Sequence, residues 1–181
     1  MRFPTTTPKL LLLLLLLPLP KCNFTHKNLF GCCDHQARVL SLSSIDSTVG
    51  FSIEGTSFDG ALGYSVASSG DLNGDGIKDV VLGAIQAGQH GGGEVYVIFG
   101  SQSGFPERFN LSSLNGSNGF RVTGGLQIDL LGFSVSSGGD FNGDGLQDLA
   151  IGATLGGSSR TGCVYVIYGN QIFPPLINVA S

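Results

Sequence analysis

A nine-residue pattern of oxygen-bearing side chains occurs twice in the chain, at residues 71–79 and 140–148. Each copy has Asp or Asn at positions 1, 3, 5 and 9 and glycine at positions 4 and 6. Calcium takes about six to eight oxygen ligands, and glycine allows the tight bend that wraps a short loop around one ion. The predicted ligands are the side chains of Asp71, Asn73, Asp75 and Asp79 with the Ile77 carbonyl, and those of Asp140, Asn142, Asp144 and Asp148 with the Leu146 carbonyl.

Two other interpretations of these loops are weaker. Solvated acidic turns also contain Asp, Asn and Gly, but they do not account for the same spacing in two copies. An EF-hand loop needs a bidentate acid at position 12 and flanking helices, whereas position 12 here is Leu82 or Ile151 within an apolar run. Three carboxylates in nine residues repel one another without a cation. We therefore predict two Ca²⁺ sites that hold the fold together and do no catalysis.

The loops belong to an internal repeat. Residues 63–100 align without gaps to residues 132–169, and 20 of these 38 positions are identical. The same offset of 69 residues places 42–55 over 111–124. A fixed period of this kind indicates stacked supersecondary units. The predicted repeat region spans 41–181, with units at about 41–109 and 110–178.

Each unit has the pattern of four short strands joined by glycine-rich turns. Apolar and polar residues alternate in some segments, others are continuous β-branched runs, and none keeps a helical period. We predict an all-β fold of two four-stranded antiparallel β-propeller blades, a partial propeller, with a two-unit β-sandwich as the alternative. The predicted strands are 63–69, 79–85, 93–99 and 120–123, then 132–137, 148–154 and 163–168, with the last outer strand from 176–179 or from 51–54.

Two blades are too few to close a propeller, which has about four to eight. Two blade faces are therefore expected to lack a neighbour, and exposed apolar faces favour association. We predict self-association through these faces. The residues assigned to them are Val80, Leu82, Val97, Leu149, Ile151 and Val166, of which about half are expected to be buried between the two blades.

The N-terminal part is predicted to be a secretory leader, residues 1–21, followed by a cysteine-containing linker, residues 22–40. Arg2 and Lys9 precede an apolar run that is too short to span a bilayer. In a secreted chain, Cys22, Cys32, Cys33 and Cys163 allow one or two disulfides, with unpaired thiols as the alternative. Sequons at Asn23, Asn110 and Asn115 are candidate glycosylation sites.

Composition and motifs argue against two classes of function. The net charge of −4 argues against a nucleic-acid surface, which needs clustered Lys and Arg. No G-x-S-x-G motif occurs, and none of His26, His35 and His90 lies in a nucleophile motif. His90 is expected to be an exposed loop residue. We predict that the chain is not an enzyme.

The units resemble FG-GAP repeats, the blades of the N-terminal propeller of integrin α subunits and of many bacterial and protist surface proteins. Gly63 and Gly132 match the "FG" position, and Gly83 and Gly152 match "GAP". The resemblance implies a calcium-stabilised binding or cell-adhesion module, secreted or at the cell surface, with a protein or cell-surface ligand. The alternative is a fragment, or an accessory repeat region, of a larger secreted protein or hydrolase.

Overall fold

The computed structural model describes Leu42 and residues 45–125, 129–157 and 159–179. In these ranges there is no α-helix, and the regular elements are ten strands and short 3₁₀ turns, so the predicted all-β fold is confirmed. The leader, the linker, three of the cysteines and Asn23 lie outside the described residues. The strands are β1 (Ser52–Ile53), β2 (Leu62–Ser69), β3 (Asp79–Ala84), β4 (Glu94–Ile98), β5 (Arg108–Phe109), β6 (Gly119–Thr123), β7 (Leu131–Gly139), β8 (Asp148–Ala153), β9 (Cys163–Ile167) and β10 (Leu176–Asn178).

The first sheet contains the four strands predicted for the first unit. Strands β2, β3, β4 and β6 lie side by side and are antiparallel to their neighbours, and β10 is added parallel to β6. The central strands β3 and β4 are apolar on both faces because both faces of this sheet are covered. Every predicted strand of this unit is present to within two residues.

The second sheet has three strands in the described part of the chain, in the order β7-β8-β9. The prediction that the tail at 176–179, or the segment at 51–54, supplies its fourth strand is wrong. The tail forms β10 and pairs with β6, while β1 pairs with β5. The reason is tertiary packing: Phe173, just before β10, is buried against Phe99 and Phe120 and holds the tail beside β6. Phe105, before β5, stacks on Phe51 beside β1 in the same way.

The two parallel pairs are equivalent to each other. The dipeptide Phe105-Pro106 recurs at Phe173-Pro174, and it precedes β5 in one case and β10 in the other. Ser52 lies opposite Arg108 in the β1–β5 pair, as Arg121 lies opposite Leu176 in the β6–β10 pair. A pair of phenylalanines stacks beside each of the two strand pairs. The ring centroids are 4.3 Å apart for Phe51 and Phe105, and 4.4 Å apart for Phe120 and Phe173. Strand β1 thus has the structural role of β6, one repeat earlier.

The second sheet packs on one face of the first and forms the main core. This core combines side chains of β3 and β4 with others from β7 and β8: Val81, Val95, Val97, Phe99, Leu131, Leu149, Ile151 and Ala153. The backbones come close where Gly83 meets Gly132, because a Cβ on Gly83 would lie 2.2 Å from the Gly132 carbonyl oxygen. The Ser65 Oγ donates a hydrogen bond to that same oxygen at 2.6 Å. Glycine at both positions is therefore required by contact between the repeats.

The opposite face of the first sheet is covered by the chain's own connecting segment. Leu82, Tyr96 and Ile98 are buried there with Phe109 and Leu111. The prediction that two blade faces stay uncovered is therefore wrong for this face, since the segment between the repeats supplies apolar side chains. Of the residues assigned to uncovered faces, Leu82, Val97, Leu149 and Ile151 are buried, Val80 is half-buried and Val166 is 46% exposed.

The outer face of the second sheet is exposed among the described residues. We call it the open face and define it by Phe141, Val164, Val166 and Tyr168, which are 65%, 67%, 46% and 55% exposed. Their equivalents in the first repeat are Leu72, Val95, Val97 and Phe99, which are at most 5% exposed. The same sequence positions are thus buried in one repeat and exposed in the other.

Candidate metal-binding loops

The first loop connects β2 to β3 and is closed by its own side chains. Asp71 accepts hydrogen bonds from the N–H of Asp75 at 2.9 Å and of Gly76 at 2.7 Å. The Asn73 amide oxygen accepts from the Asp75 N–H at 3.2 Å, and Asp75 accepts from the Ile77 N–H at 2.8 Å. One N–H group therefore lies close to oxygens of positions 1 and 3. The turn brings these oxygens together, as a shared cation requires.

Asp79, at position 9, ties the loop to the sheet. Its side chain is fully buried, and its two carboxylate oxygens accept from the N–H of Leu72 at 2.9 Å and of Gly100 at 3.0 Å. The first bond closes the loop, and the second joins it to the end of β4. Asp79 thus has a structural role that the ligand pattern alone does not predict. The sequence feature that could have predicted this role is the position of Asp79 at the start of an apolar strand, because burying an unpaired carboxylate is costly.

The second loop, between β7 and β8, repeats this arrangement. Asp140 accepts from the N–H of Asp144 at 3.0 Å and of Gly145 at 2.8 Å. Asn142 and Asp144 accept from the same relative N–H groups as in the first loop, at 3.1 and 2.8 Å. Asp148 accepts from the N–H of Phe141 at 2.6 Å and of Gly169 at 2.9 Å. The conformation is therefore a property of the nine-residue sequence.

Negative charges crowd the first loop. Burial raises the pKa of Asp79 to about 6, and the charges of Asp75 and Asp71 add to this, although the N–H groups of Gly100 and Leu72 oppose it. A carboxylate whose pKa is raised by burial and by like charges is one that a nearby cation stabilises in its charged form. The donor chemistry of the loop fits a hard cation such as Ca²⁺.

The residues named as ligands fall into two groups. Asp71, Asn73 and Asp75 are at the rim of the loop, whereas Asp79 is beneath it with both carboxylate oxygens bonded to backbone. In the described ranges, no group of three or more His, Cys, Asp and Glu residues is close enough to hold a metal ion by itself. An ion here would therefore also need the Asn73 amide and backbone oxygens. The equivalent division holds for Asp140, Asn142 and Asp144 against Asp148.

Position 7 differs from the other ligand positions because its side chain is apolar. Ile77 is half-buried against Gly100, where a Cβ would lie 2.3 Å from an Ile77 methyl carbon. Leu146 packs in the same way on Gly169 and reaches Gly74 of the first loop. Both side chains anchor their loops to the sheet. Their carbonyls remain the proposed metal contacts at this position.

Sequence reasoning missed a buried polar network in the first repeat. Glu94 is 4% exposed, accepts a short hydrogen bond from the Tyr96 hydroxyl and lies 3.4 Å from the Arg121 guanidinium. Burial, and then the Glu94 bond, raises the pKa of Tyr96. Cys163 stands at the Glu94 position of the second repeat, so the network is not part of the repeated pattern. It contacts neither loop.

The remaining candidate residues in the described ranges lie on the surface. Asn110 and Asn115 are exposed, and their amide oxygens accept from the N–H of Ser112 and of Ser117, both at 2.9 Å. His90 is exposed in the turn before β4, as expected, with φ of 56°. Glycosylation of the two asparagines stays a prediction. No helix in the described ranges is long and apolar enough to cross a membrane.

Comparison with known families identifies the repeated unit. The family model described as "FG-GAP repeat" matches residues 62–98 and 131–167. Each match extends from the first strand of a sheet to its third and contains one of the two loops. The matched ranges therefore coincide with the part of each repeat that the structure shows to be the same.

Several curated proteins are similar to this chain. Integrin alpha pat-2 of Caenorhabditis elegans is 40% identical over 100 residues, 55% of this chain and 8% of that protein. Integrin alpha-PS2 of Drosophila melanogaster is 35% identical over 131 residues, 68% of this chain and 9% of that protein. Phosphatidylinositol-glycan-specific phospholipase D of Mus musculus is 39% identical over 115 residues, 59% of this chain and 13% of that protein. The chain thus spans a small part of the length of each relative.

Proposed function

Because the chain carries two FG-GAP repeats and resembles integrin alpha chains, we propose that it is a calcium-binding module for attachment to a protein or cell-surface ligand. We place it outside the cytoplasm, secreted or at the cell surface, and assign it no catalytic role. Calcium has a structural role in this proposal: it neutralises the loop carboxylates and keeps each hairpin closed.

The observation that carries the proposal is the agreement between the two loops. The two loops lie 69 residues apart in the sequence, at 71–79 and 140–148. Both nevertheless adopt the same side-chain-to-backbone hydrogen bonds at positions 1, 3, 5 and 9. A turn that needed only solubility would not require three carboxylates in both copies. Binding of a hard cation accounts for the presence of these carboxylates in both loops.

The test is the thermal stability of the purified chain in calcium and in chelator. A ligand that binds only the folded state stabilises it by about 2.7 kcal/mol per site at a concentration of about one hundred times Kd. We expect a rise in melting temperature in calcium that is reduced in Asp75→Ala and in Asp144→Ala, and lost in the double variant.

Asp59→Asn is the matched control, because Asp59 is an exposed aspartate outside both loops. It should keep the full response to calcium. Titration calorimetry of the unmodified chain should show two sites. Equal melting temperatures in calcium and in chelator would overturn the calcium part of the proposal.

Attachment is tested separately with beads that carry the purified chain. We expect them to bind cells of the source organism in calcium and to detach in chelator. Beads carrying the double variant should not bind, whereas beads carrying Asp59→Asn should. Equal binding by beads carrying either variant would show that attachment does not depend on the loops.

A second candidate function is an accessory repeat region for a hydrolase. It is favoured by the 39% identity to a phosphatidylinositol-glycan-specific phospholipase D over 115 residues. The same purified chain can be incubated with a protein anchored by a phosphatidylinositol glycan. We expect no release of the anchored protein. Release that Asp75→Ala abolishes without unfolding the chain would favour a hydrolase and contradict a purely structural role for the loop.

A further inference from the structure

The first sheet has five strands, and the other two sheets have three and two. Its order is β10-β6-β4-β3-β2, whereas the others are β7-β8-β9 and β1-β5. By the repeat, β7, β8 and β9 correspond to β2, β3 and β4, and β1 and β5 correspond to β6 and β10. The two smaller sheets are therefore the two parts of a second five-stranded sheet, and the edge strands that would join them are β9 and β1.

We propose that β9 of one copy pairs antiparallel with β1 of a second copy, so that the chain assembles head to tail. The contact inside the chain between β4 and β6 is the template. There Glu94 lies opposite Thr123, Val95 opposite Val122 and Val97 opposite Phe120. Transferred by one repeat, this register places Cys163 opposite Glu54, Val164 opposite Ile53 and Val166 opposite Phe51 of the second copy.

The edge of β9 has the backbone groups that this pairing needs. In the template, Phe99 donates its N–H to the Asn118 carbonyl at 3.1 Å, and Gly124 donates to the Gly93 carbonyl at 2.9 Å. Because N–H groups alternate along a strand, those of Val95 and Val97 also face β6. The equivalent groups of β9 belong to Val164 and Val166. No described strand pairs with this edge of β9.

The side chains on the open face fit the same occupant. When β1 of a second copy takes the place of β6, the first sheet of that copy takes the place of the second sheet, because β1 leads into β2 as β6 leads into β7. The open face is then covered as Leu72, Val95, Val97 and Phe99 are covered within the chain. Tyr168 would contact Phe51, as Phe99 contacts Phe120 with ring centroids 5.9 Å apart.

One hydrogen bond and one glycine support the match from the other side of the contact. Within the chain, the Ser65 Oγ donates to the Gly132 carbonyl oxygen. Transferred by one repeat, the donor is Ser134 and the acceptor is Gly63 of the second copy. Gly63 has φ of 88°, as Gly132 has 86°, yet a Cβ on Gly63 would meet no atom within 4 Å. The second copy supplies the close neighbour that this glycine lacks.

The contact joins β9 of one copy to β1 of the next. The two surfaces that meet are therefore different, and each copy carries both of them. Contacts of this kind produce rings or open filaments, whereas a symmetric contact stops at a dimer. Two copies already supply the four blades of the smallest closed ring, and more copies give larger rings or open filaments. We therefore expect the calcium-loaded chain to form oligomers that increase with concentration in sedimentation experiments.

The first test compares two substitutions of exposed apolar residues. Val164→Glu places a charge on the open face and should leave the chain monomeric. Ile172→Glu is the matched control, since Ile172 is 83% exposed and belongs neither to the open face nor to β1. This variant should still form oligomers. A native chain that stays monomeric at every concentration overturns the proposal, as does a Val164→Glu variant that still associates.

The second test fixes the register by cross-linking. In a chain with Cys22, Cys32 and Cys33 replaced by Ser, Glu54→Cys should form disulfides with Cys163 of the next copy and give a ladder of dimers, trimers and larger species under mild oxidation. Adding Cys163→Ser should abolish the ladder, and Ser52→Cys in place of Glu54→Cys should give much less. The absence of cross-linked species between copies, or cross-linking only within one chain, would contradict head-to-tail pairing.

Discussion

Position 2 of the loop is Leu72 in the first repeat and Phe141 in the second, and the two residues lie in opposite environments. Leu72 is fully buried in the core shared with the second sheet, where its carbonyl accepts from the Asn170 N–H at 2.9 Å. Phe141 is 65% exposed. The loops around them nevertheless share the hydrogen bonds accepted at positions 1, 3, 5 and 9, and the second loop adds one from the Gly143 N–H to Asp140. Loop conformation is therefore set locally, whereas the energetic weight of a loop residue is set by the neighbouring repeat.

The glycines of the family signature show the same division. Gly83 and Gly132 are in close contact across the two repeats, whereas their equivalents Gly152 and Gly63 are not in contact with a neighbouring repeat among the described residues. Gly63 nevertheless keeps a positive φ. A signature residue is thus retained for a contact that only one copy makes within this chain. This asymmetry is what the head-to-tail assembly would remove.

The largest expected difference between the repeats is at position 2. Leu72→Ala should lower the free energy of unfolding by about 3 kcal/mol, because it leaves a cavity in the core between the sheets. Phe141→Ala should change it by less than about 0.5 kcal/mol in dilute monomer, as an exposed side chain does. Chemical denaturation of both variants in the presence of calcium measures this. Equal losses would show that Leu72 does not stabilise the packing of the second sheet.

The same division between local features and features set by neighbouring segments separates what the sequence predicted from what it did not. The strands of the first sheet and both loops were predictable because alternation, glycine spacing and recurrence are local signals. The partners of β1 and β10 were not predictable, since a two- or three-residue strand has no sequence feature that selects its neighbour. The burial of Leu82 was also missed, because it depends on Phe109 and Leu111, which lie in a connection that the pattern does not identify as apolar cover.

A second prediction concerns the aspartates at position 9, where the repeats should behave alike. Asp79→Ala and Asp148→Ala each leave two N–H groups without their acceptor, at Leu72 and Gly100 or at Phe141 and Gly169. Each variant should lose about 2 kcal/mol, the usual cost of unsatisfied buried donors. The measurement is made in chelator, so that metal binding does not contribute.

The corresponding Asn variants are the controls for this pair. Asparagine keeps one acceptor oxygen of the two, so each Asn variant should lose about half as much as its Ala counterpart. If Asp79→Ala lowered the stability much more than Asp148→Ala, the contribution of the Asp79 hydrogen bonds would depend on the neighbouring repeat. The local description of the loops would then be wrong at position 9.

The smallest expected effects come from glycine at position 6, and they isolate the loop backbone. Gly76 and Gly145 have φ of 85° and 88°, and a Cβ on either would meet no atom within 4 Å. Alanine therefore adds no clash, and its only cost is the left-handed backbone, about 1 kcal/mol. Gly76→Ala and Gly145→Ala should lower stability in chelator by the same amount, although one loop adjoins a buried core and the other an exposed face. Denaturation curves that differ by more than about 0.5 kcal/mol, the error expected for independent sites, would show that the neighbouring repeat also shapes the loop backbone.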